Sequence, residues 1–296
     1  MNTNYTAILA EYVKWLDTLG FSDGVIYDCK FRVKAFFEWL ENKKIESIIL
    51  LTNKHISEYH AYLETRPNEK FKGRLLSASH LNHNFFAIDK LLEFLHQYGM
   101  TNAPVPTNYR VKIDEQERIN KIEVLTQDEI KTLYNSIPNT YQRFLFAERQ
   151  ARHAELRAIF ALFYGCGLRL SEGFNLQIKD IDFDRKTIFV QQGKNYKDRI
   201  IPMSAGVYNE LQDYVYNYCQ KQNRLFTCSK MTVHLRLKHL QNACTDETIK
   251  AKRITLHLLR HSIATHLLQN GMNIENISLF LGHSSLDATQ IYTHLI

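Results

Sequence analysis

Cysteine is scarce in this chain. Five occur in 296 residues, at positions 29, 166, 219, 228 and 244, with no C-x-x-C pair among them. An odd set of that spacing predicts neither a disulfide framework nor a zinc knuckle and fits a reducing cytoplasm. Glycine and proline are also few, 11 and 5, while 45% of residues are hydrophobic and 23% charged. That balance belongs to a folded protein and excludes disordered, fibrous and collagenous classes. Neither G-x-G-x-x-G nor a Walker loop is present, so no nucleotide or other cofactor is expected. No apolar run approaches the roughly 20 residues that cross a bilayer. The opening MNTNYTAILAEYVKWLD interrupts its apolar residues with Glu11, Lys14 and Asp17, unlike the unbroken core of a signal peptide. The expectation is a cytoplasmic protein with no membrane partner.

What the chain has is helical periodicity. Before residue 100, apolar residues recur at three and four positions in four segments, the pattern of helices burying one stripe. Ile8, Leu9, Tyr12, Val13 and Leu16 mark the first, ended by Gly20, and Val25, Cys29, Val33, Phe36, Phe37 and Leu40 the second. Ile56, Tyr59 and Leu63 mark the third; Leu81, Phe85, Ile88, Leu91, Leu92 and Leu95 mark the fourth, which stops at Gly99. The aromatics Phe36, Phe37, Phe85 and Phe86 fall on these stripes and read as core. Residues 1–99 therefore predict a four-helix bundle. Residues 100–124 contain Pro104 and Pro106 without a sustained apolar period and predict an extended linker.

Thr126 and Glu129 form a capping box that opens a second domain, 125–296. Segments 187–191 and 199–203 are β-branched and aromatic around a polar turn at Gly193, and predict one hairpin. Helical spacing resumes over 204–222, 230–244, 257–269 and 285–294. The expected fold class is mainly α with a small β-sheet, in two domains, the second of them mixed α/β. Net charge is +6, with 13 basic and 12 acidic residues through Arg110 and 24 and 19 after it. The surplus, in the second domain, makes a polyanionic partner plausible without establishing one.

Four local patterns carry candidate chemistry. In GCGLRLSEGFN, a glycine-broken helix end delivers Arg169, and a short helix carries Ser171 and Glu172 onward; locally, Arg169 and Glu172 simply pair at i,i+3. Lys194, with Lys197 and Arg199 behind it, sits in the hairpin turn, where lysines are usually only solubilising. In HLLRHSIATHLL, His257 and Arg260 share a helix face, and His261 lies one turn beyond His257. In LGHSSLDATQIYTHLI, Gly282 frees His283 from a helix end, Ser284 or Ser285 caps a last helix, and Tyr292 follows.

In combination these residues resemble the tyrosine recombinases of the phage-integrase and Xer type. Gly167, Leu168, Arg169, Ser171 and Glu172 match the family's G-L-R-x-S-E stretch. Gly193 and Lys194 match its hairpin lysine, His257 and Arg260 its H-x-x-R, Leu281, Gly282 and His283 its L-G-H, and Tyr292 its nucleophile. The resemblance implies a core-binding bundle over 1–99 and a catalytic domain over 125–296. It implies an enzyme that cleaves and rejoins DNA through a 3′-phosphotyrosyl link without metal or ATP. Tyr292 would attack, Arg169 and Arg260 would clamp the nonbridging oxygens, and Lys194 would protonate the leaving 5′-oxygen, with Lys197 in reserve. His257 would take the tyrosine proton or bond the phosphate, His283 would donate to the phosphate, and Glu172 would position the site.

The implied partners are double-stranded DNA with inverted-repeat core sites and other copies of the chain, a homotetramer on synapsed DNA and a monomer or weak oligomer without it. Lys30, Arg32, Lys34, Lys70, Lys72 and Arg74 are candidate phosphate contacts on the bundle. Integration, excision, inversion and resolution, on a mobile element or a nucleoid, are all compatible outcomes. The family usually continues after the tyrosine into a segment that docks on a neighbour, where this sequence has only four residues, and the bundle begins near Met1 without an arm-site domain. Two rivals are a noncatalytic DNA-binding relative and a metallohydrolase on His257, His261 and His283, the latter lacking the carboxylate its motif requires.

Overall fold

The computed structural model describes residues 1–69, 71–113, 123–191, 198–220, 222–283, 287–290 and 292–293. Its contacts separate two compact units, Met1–Glu115 and Gln116–Ile296, each with its own core.

The first unit is built on four long helices. Asn2 opens α1 (Thr3–Thr18) by accepting the Tyr5 N–H at 2.8 Å, satisfying a donor that a helix start leaves unpaired. Gly20, at φ 78°, takes the left-handed turn that ends it. Next come α2 (Asp23–Asn42), a 3-10 turn at Ile48–Leu50, α3 (Asn53–Thr65) and α4 (Ala78–Gln97). Aromatic rings fill the centre, with Tyr5 stacked on Phe37 at 4.5 Å and Phe36 against Tyr59 at 4.7 Å. Phe36, Phe37 and Phe85 are buried as their spacing predicts, and Phe86 is half-buried. The buried Tyr12 hydroxyl donates to the Ala87 carbonyl at 3.2 Å, so its burial leaves no unsatisfied donor.

After α4 the chain is extended, as Pro104 and Pro106 predict, but it is tied back onto the bundle. Buried Asp89 accepts the Thr107 N–H at 3.0 Å and Arg110 Nη1 at 2.8 Å. The Asn82 side chain accepts the Val111 N–H at 2.7 Å and donates to the Val111 carbonyl at 2.9 Å. Two polar side chains on α4 thus find partners among residues 107–111.

In the second unit, the predicted box at Thr126 and Glu129 caps α5 (Gln127–Asn135). The central α6 (Phe146–Phe160) runs on through a π turn at Ala161–Gly165, burying Leu156, Ile159, Leu162 and Phe163 completely. A short α7 (Leu170–Asn175) leads to three antiparallel strands, β1 (Ile181–Asp182), β2 (Thr187–Val190) and β3 (Arg199–Pro202), in the order β1-β2-β3. Ile188, Val190 and Ile201 face the core, while Phe189 and Ile200, paired across the register, face outward. β1 was not expected, because two residues are too short to show alternation. Helices α8 (Ala205–Tyr218), α9 (Lys230–Ala243), α10 (Glu247–Ala251), α11 (Leu256–Gln269), α12 (Ile274–Leu281) and α13 (Asp287–Gln290) complete the unit. Of the last helix predicted over 285–294, the described part is α13, with Tyr292 and Thr293 in a 3-10 turn after it; Ser284 and Ser285 lie outside the described residues. Among those described, no helix is long and apolar enough to cross a membrane.

Candidate active site

Arg169 is placed by a turn that requires glycine. Gly167 sits at φ 59°, and a Cβ there would lie 2.8 Å from Leu281 Cδ2, so its absence lets the end of α12 approach the turn. Arg169 then forms the N-cap of α7, and Glu172, one turn on, accepts both the Arg169 backbone N–H and Arg169 Nη1 at 2.8 Å. The local i,i+3 pair is therefore real, and it aims the guanidinium.

Glu172 also takes a two-pronged contact from Arg199, Nη1 to Oε1 at 3.1 Å and Nη2 to Oε2 at 2.9 Å, and stands 4.0 Å from Arg260 Nη1. One buried carboxylate thus gathers three cations. Burial alone would raise its pKa, but Arg199 above all, then the Arg169 N–H and side chain, hold it down at about 2. It is ionised at neutral pH.

The same three arginines grip the C-terminal end of α12. Arg199 Nε donates to the Phe280 carbonyl at 3.0 Å, Arg260 Nη2 to the Leu281 carbonyl at 2.8 Å, and Arg169 Nη2 to the Gly282 carbonyl at 2.6 Å. Carbonyls at a helix C-terminus lack partners within the helix and carry its negative end, so cations there are doubly favoured. Arg260, from α11, is buried and also donates to the Gly167 carbonyl. Burial and the neighbouring Arg169 lower its pKa to about 10, which leaves it charged at neutral pH. Gly282, left-handed at φ 66°, ends α12 and brings the His283 N–H back to the Ser278 carbonyl at 3.0 Å. His283 is thereby delivered beside the arginines, its Nδ1 2.6 Å from Thr289 Oγ1 of α13.

Tyr292 completes the cluster. It is 2% exposed, its ring parallel to that of His283 at 6.4 Å, and its hydroxyl lies 2.9 Å from His261 Nδ1. Burial raises its pKa, and Arg260 and Arg169 pull in the opposite direction. The imidazoles are held neutral. Burial, then His257 and Arg260, bring His261 to about 4, and burial, then Arg260 and Arg169, bring His283 to about 3. His257, the more exposed ring, is also lowered, by what burial it has and by Arg260 and Arg169.

Of the residues expected here, Arg169, Glu172, His257, Arg260, His283 and Tyr292 come together. Lys194 and Lys197 lie outside the described residues, as does Lys70. Three participants were not anticipated in their roles: Arg199 on β3, His261 as the tyrosine's partner, and Thr289. His261 had a signal, since it stands four residues after His257 and shares its helix face; Arg199 had none beyond following the hairpin turn. The metal rival gains nothing, because guanidinium groups crowd the three histidines. Among the described residues, no three His, Cys, Asp or Glu side chains are grouped to hold a metal ion.

On the bundle, Lys30, Lys34, Lys72 and Arg74 are exposed. Arg32 is not available at the surface. It is 7% exposed, bonding Asp28 through Nε at 2.7 Å with Nη1 3.5 Å from the His80 carbonyl, because its position falls on the inward side of α2 beside Val33.

The model of the phage integrase family matches residues 123–296. A tyrosine recombinase XerA from Thermococcus onnurineus is 39% identical over 178 residues, 57% of this chain and 57% of that protein. A tyrosine recombinase XerD from Rickettsia bellii is 29% identical over 278 residues, 88% of this chain and 84% of that one. The chain spans 57% to 63% of the length of the three XerA relatives from Thermococcus and Pyrococcus furiosus that it matches. In fold, it resembles the crystal structure of XerH site-specific recombinase bound to difH substrate, with a TM-score of 0.67 at 16% identity over 97% of this chain and 92% of that one. With more than half of its length matched, the chain belongs to the phage integrase family of tyrosine recombinases.

Proposed function

We propose that this protein is a site-specific DNA recombinase that breaks and rejoins strands through a 3′-phosphotyrosyl intermediate. The observation that carries the reading is the meeting of Tyr292 with Arg169 and Arg260 on a scaffold organised by Glu172. Transesterification at a phosphodiester needs a nucleophile, neutralisation of the nonbridging oxygens and a proton for the departing oxygen. Tyr292 supplies the first, its oxygen bonding to phosphorus as the bond to the 5′-oxygen breaks. Two permanently charged guanidinium forks supply the second. Arg260 spends one donor from each terminal nitrogen on carbonyls, of the five a guanidinium carries. Lys194 is assigned the third part from its place in the hairpin, with Lys197 in reserve. His257, neutral at rest, takes the proton that Tyr292 loses on attack or bonds the phosphate, and His283 donates a hydrogen bond to the phosphate.

The substrate of this reading is duplex DNA with inverted core sites, bound with the help of exposed bundle cations such as Lys30 and Lys34, and four copies exchange strands on the synapsed sites. Because the phosphotyrosyl link conserves the ester, a 5′-hydroxyl from another strand reverses the step without an energy source.

The test is covalent capture. A duplex selected for binding, nicked so that the cleaved fragment diffuses away, should trap protein on a denaturing gel in the presence of EDTA. Tyr292→Phe should bind the same duplex and trap nothing. Binding by the intact chain without any adduct would leave only a noncatalytic DNA-binding protein.

A further inference from the structure

The tyrosine hydroxyl rests on a histidine outside the six residues assigned to the reaction. His261 follows Arg260 directly on α11, so the helix turn that fixes the arginine also fixes the imidazole. Arg260 is itself anchored from both ends, by the Gly167 and Leu281 carbonyls. Tyr292 follows α13 and belongs to a small apolar cluster with Ala264, Ile277 and Leu281, separate from the main core. Among the described residues it also meets the His283 and His261 rings and shares a hydrogen bond with His261.

Burial, then His257 and Arg260, keep the His261 imidazole neutral, while burial keeps the phenol protonated. The bond therefore joins two uncharged groups, the phenol donating to a bare Nδ1 or Nδ1–H donating to the phenol oxygen.

We propose that His261 is a positioning residue for the nucleophile: the hydrogen bond between its Nδ1 and the Tyr292 hydroxyl keeps the side chain docked at the arginine clamp before a phosphate arrives. The inference rests on the reading of Tyr292 as nucleophile. Without this bond, the side chain samples positions away from the reacting phosphorus, and misplacement of that kind slows the chemical step rather than weakening DNA binding.

The experiment compares His261→Phe, which removes the hydrogen-bonding partner, with His261→Asn, whose side-chain amide offers an acceptor or a donor near the place of Nδ1. Adduct formation on a nicked duplex is timed at saturating DNA, and DNA affinity is measured with Tyr292→Phe added to each protein. The Phe variant should react about tenfold more slowly, the worth of one neutral hydrogen bond, and the Asn variant near the wild-type rate, with affinity unchanged in both. In parallel, 3-fluorotyrosine placed at position 292 should show a fluorine resonance insensitive to exchange of H2O for D2O in wild type and the Asn variant, and sensitive in the Phe variant. A Phe variant that reacts at the wild-type rate, equal slowing in both variants, or a label still buried in the Phe variant would overturn the proposal. If wild-type protein formed no adduct at all, the recombinase reading would fail, and the fluorine measurement would still decide the role of His261.

Discussion

Replacing Glu172 with glutamine tests the scaffold beneath the site. The substitution preserves shape and one oxygen but removes a negative charge that faces Arg169, Arg199 and Arg260. The side chain is 6% exposed, so water screens little of the effect. Its pKa, held at about 2 against an ordinary 4.5, corresponds to about 3 kcal/mol of folding free energy at neutral pH. That agrees with the roughly 3–5 kcal/mol typical of breaking a buried ion pair by removing one partner. Because the folded-state pKa is depressed, the contribution is complete above the unfolded value and fades as pH falls through the folded one. Urea denaturation of Glu172→Gln should show a loss of about 3 kcal/mol at pH 7 that narrows below about pH 4.5. Sulfate, which can stand in for the missing charge, should stabilise the variant more than wild type. A loss below about 1 kcal/mol at pH 7, or a gap that widens in acid, would refute the reasoning.

Three further outcomes follow from the same structure. His261 and His283 are neutral when folded, with pKa values of about 4 and about 3, but titrate near 6.5 when unfolded; each should cost about 2 kcal/mol of stability between pH 7 and pH 5, and denaturation midpoints that do not fall over that range would contradict the assignment. A Cβ on Gly173 would lie 2.4 Å from Cζ of the buried Phe163 ring; Gly173→Ala should lose about 1–3 kcal/mol by overpacking, and an unchanged melting temperature would argue against this packing. Arg32→Ala should lower the stability of the first unit, since it removes the buried partner of Asp28, whereas Lys34→Ala should leave the fold intact and lower the salt dependence of DNA binding by about one ion. Equal effects of the two on binding would place Arg32 at the surface after all.

The helices of the first unit and several of the second were legible because their stripes repeat over several turns; Leu81, Phe85, Ile88 and Leu92 on α4 are buried as their spacing requires, whereas the extent of α6 and the five-residue α10 were not read. β1 was invisible because two residues carry no period, and the return of residues 107–111 to α4 was hidden because it depends on Asn82 and Asp89 finding partners far along the chain. At the site, the order of Arg169, His257, Arg260, His283 and Tyr292 announced that they belong together. The common support was not readable, since it consists of backbone carbonyls at 280–282 that side-chain identity does not reveal. Arg199 illustrates the difficulty. In sequence it is one more cation after a hairpin; in space it binds the carboxylate that orients its neighbours. Arg32 shows the converse, a cation nominated for a surface that its helix turns inward.

The central claim is that Tyr292 forms the covalent bond to DNA. Digesting the trapped protein–DNA complex and sequencing the nucleotide-bearing peptide by mass spectrometry tests it most directly. The account predicts one modified peptide, with the 3′-phosphate esterified to the Tyr292 oxygen. A nucleotide attached to any other residue, or adduct formation that survives Tyr292→Phe, would contradict it.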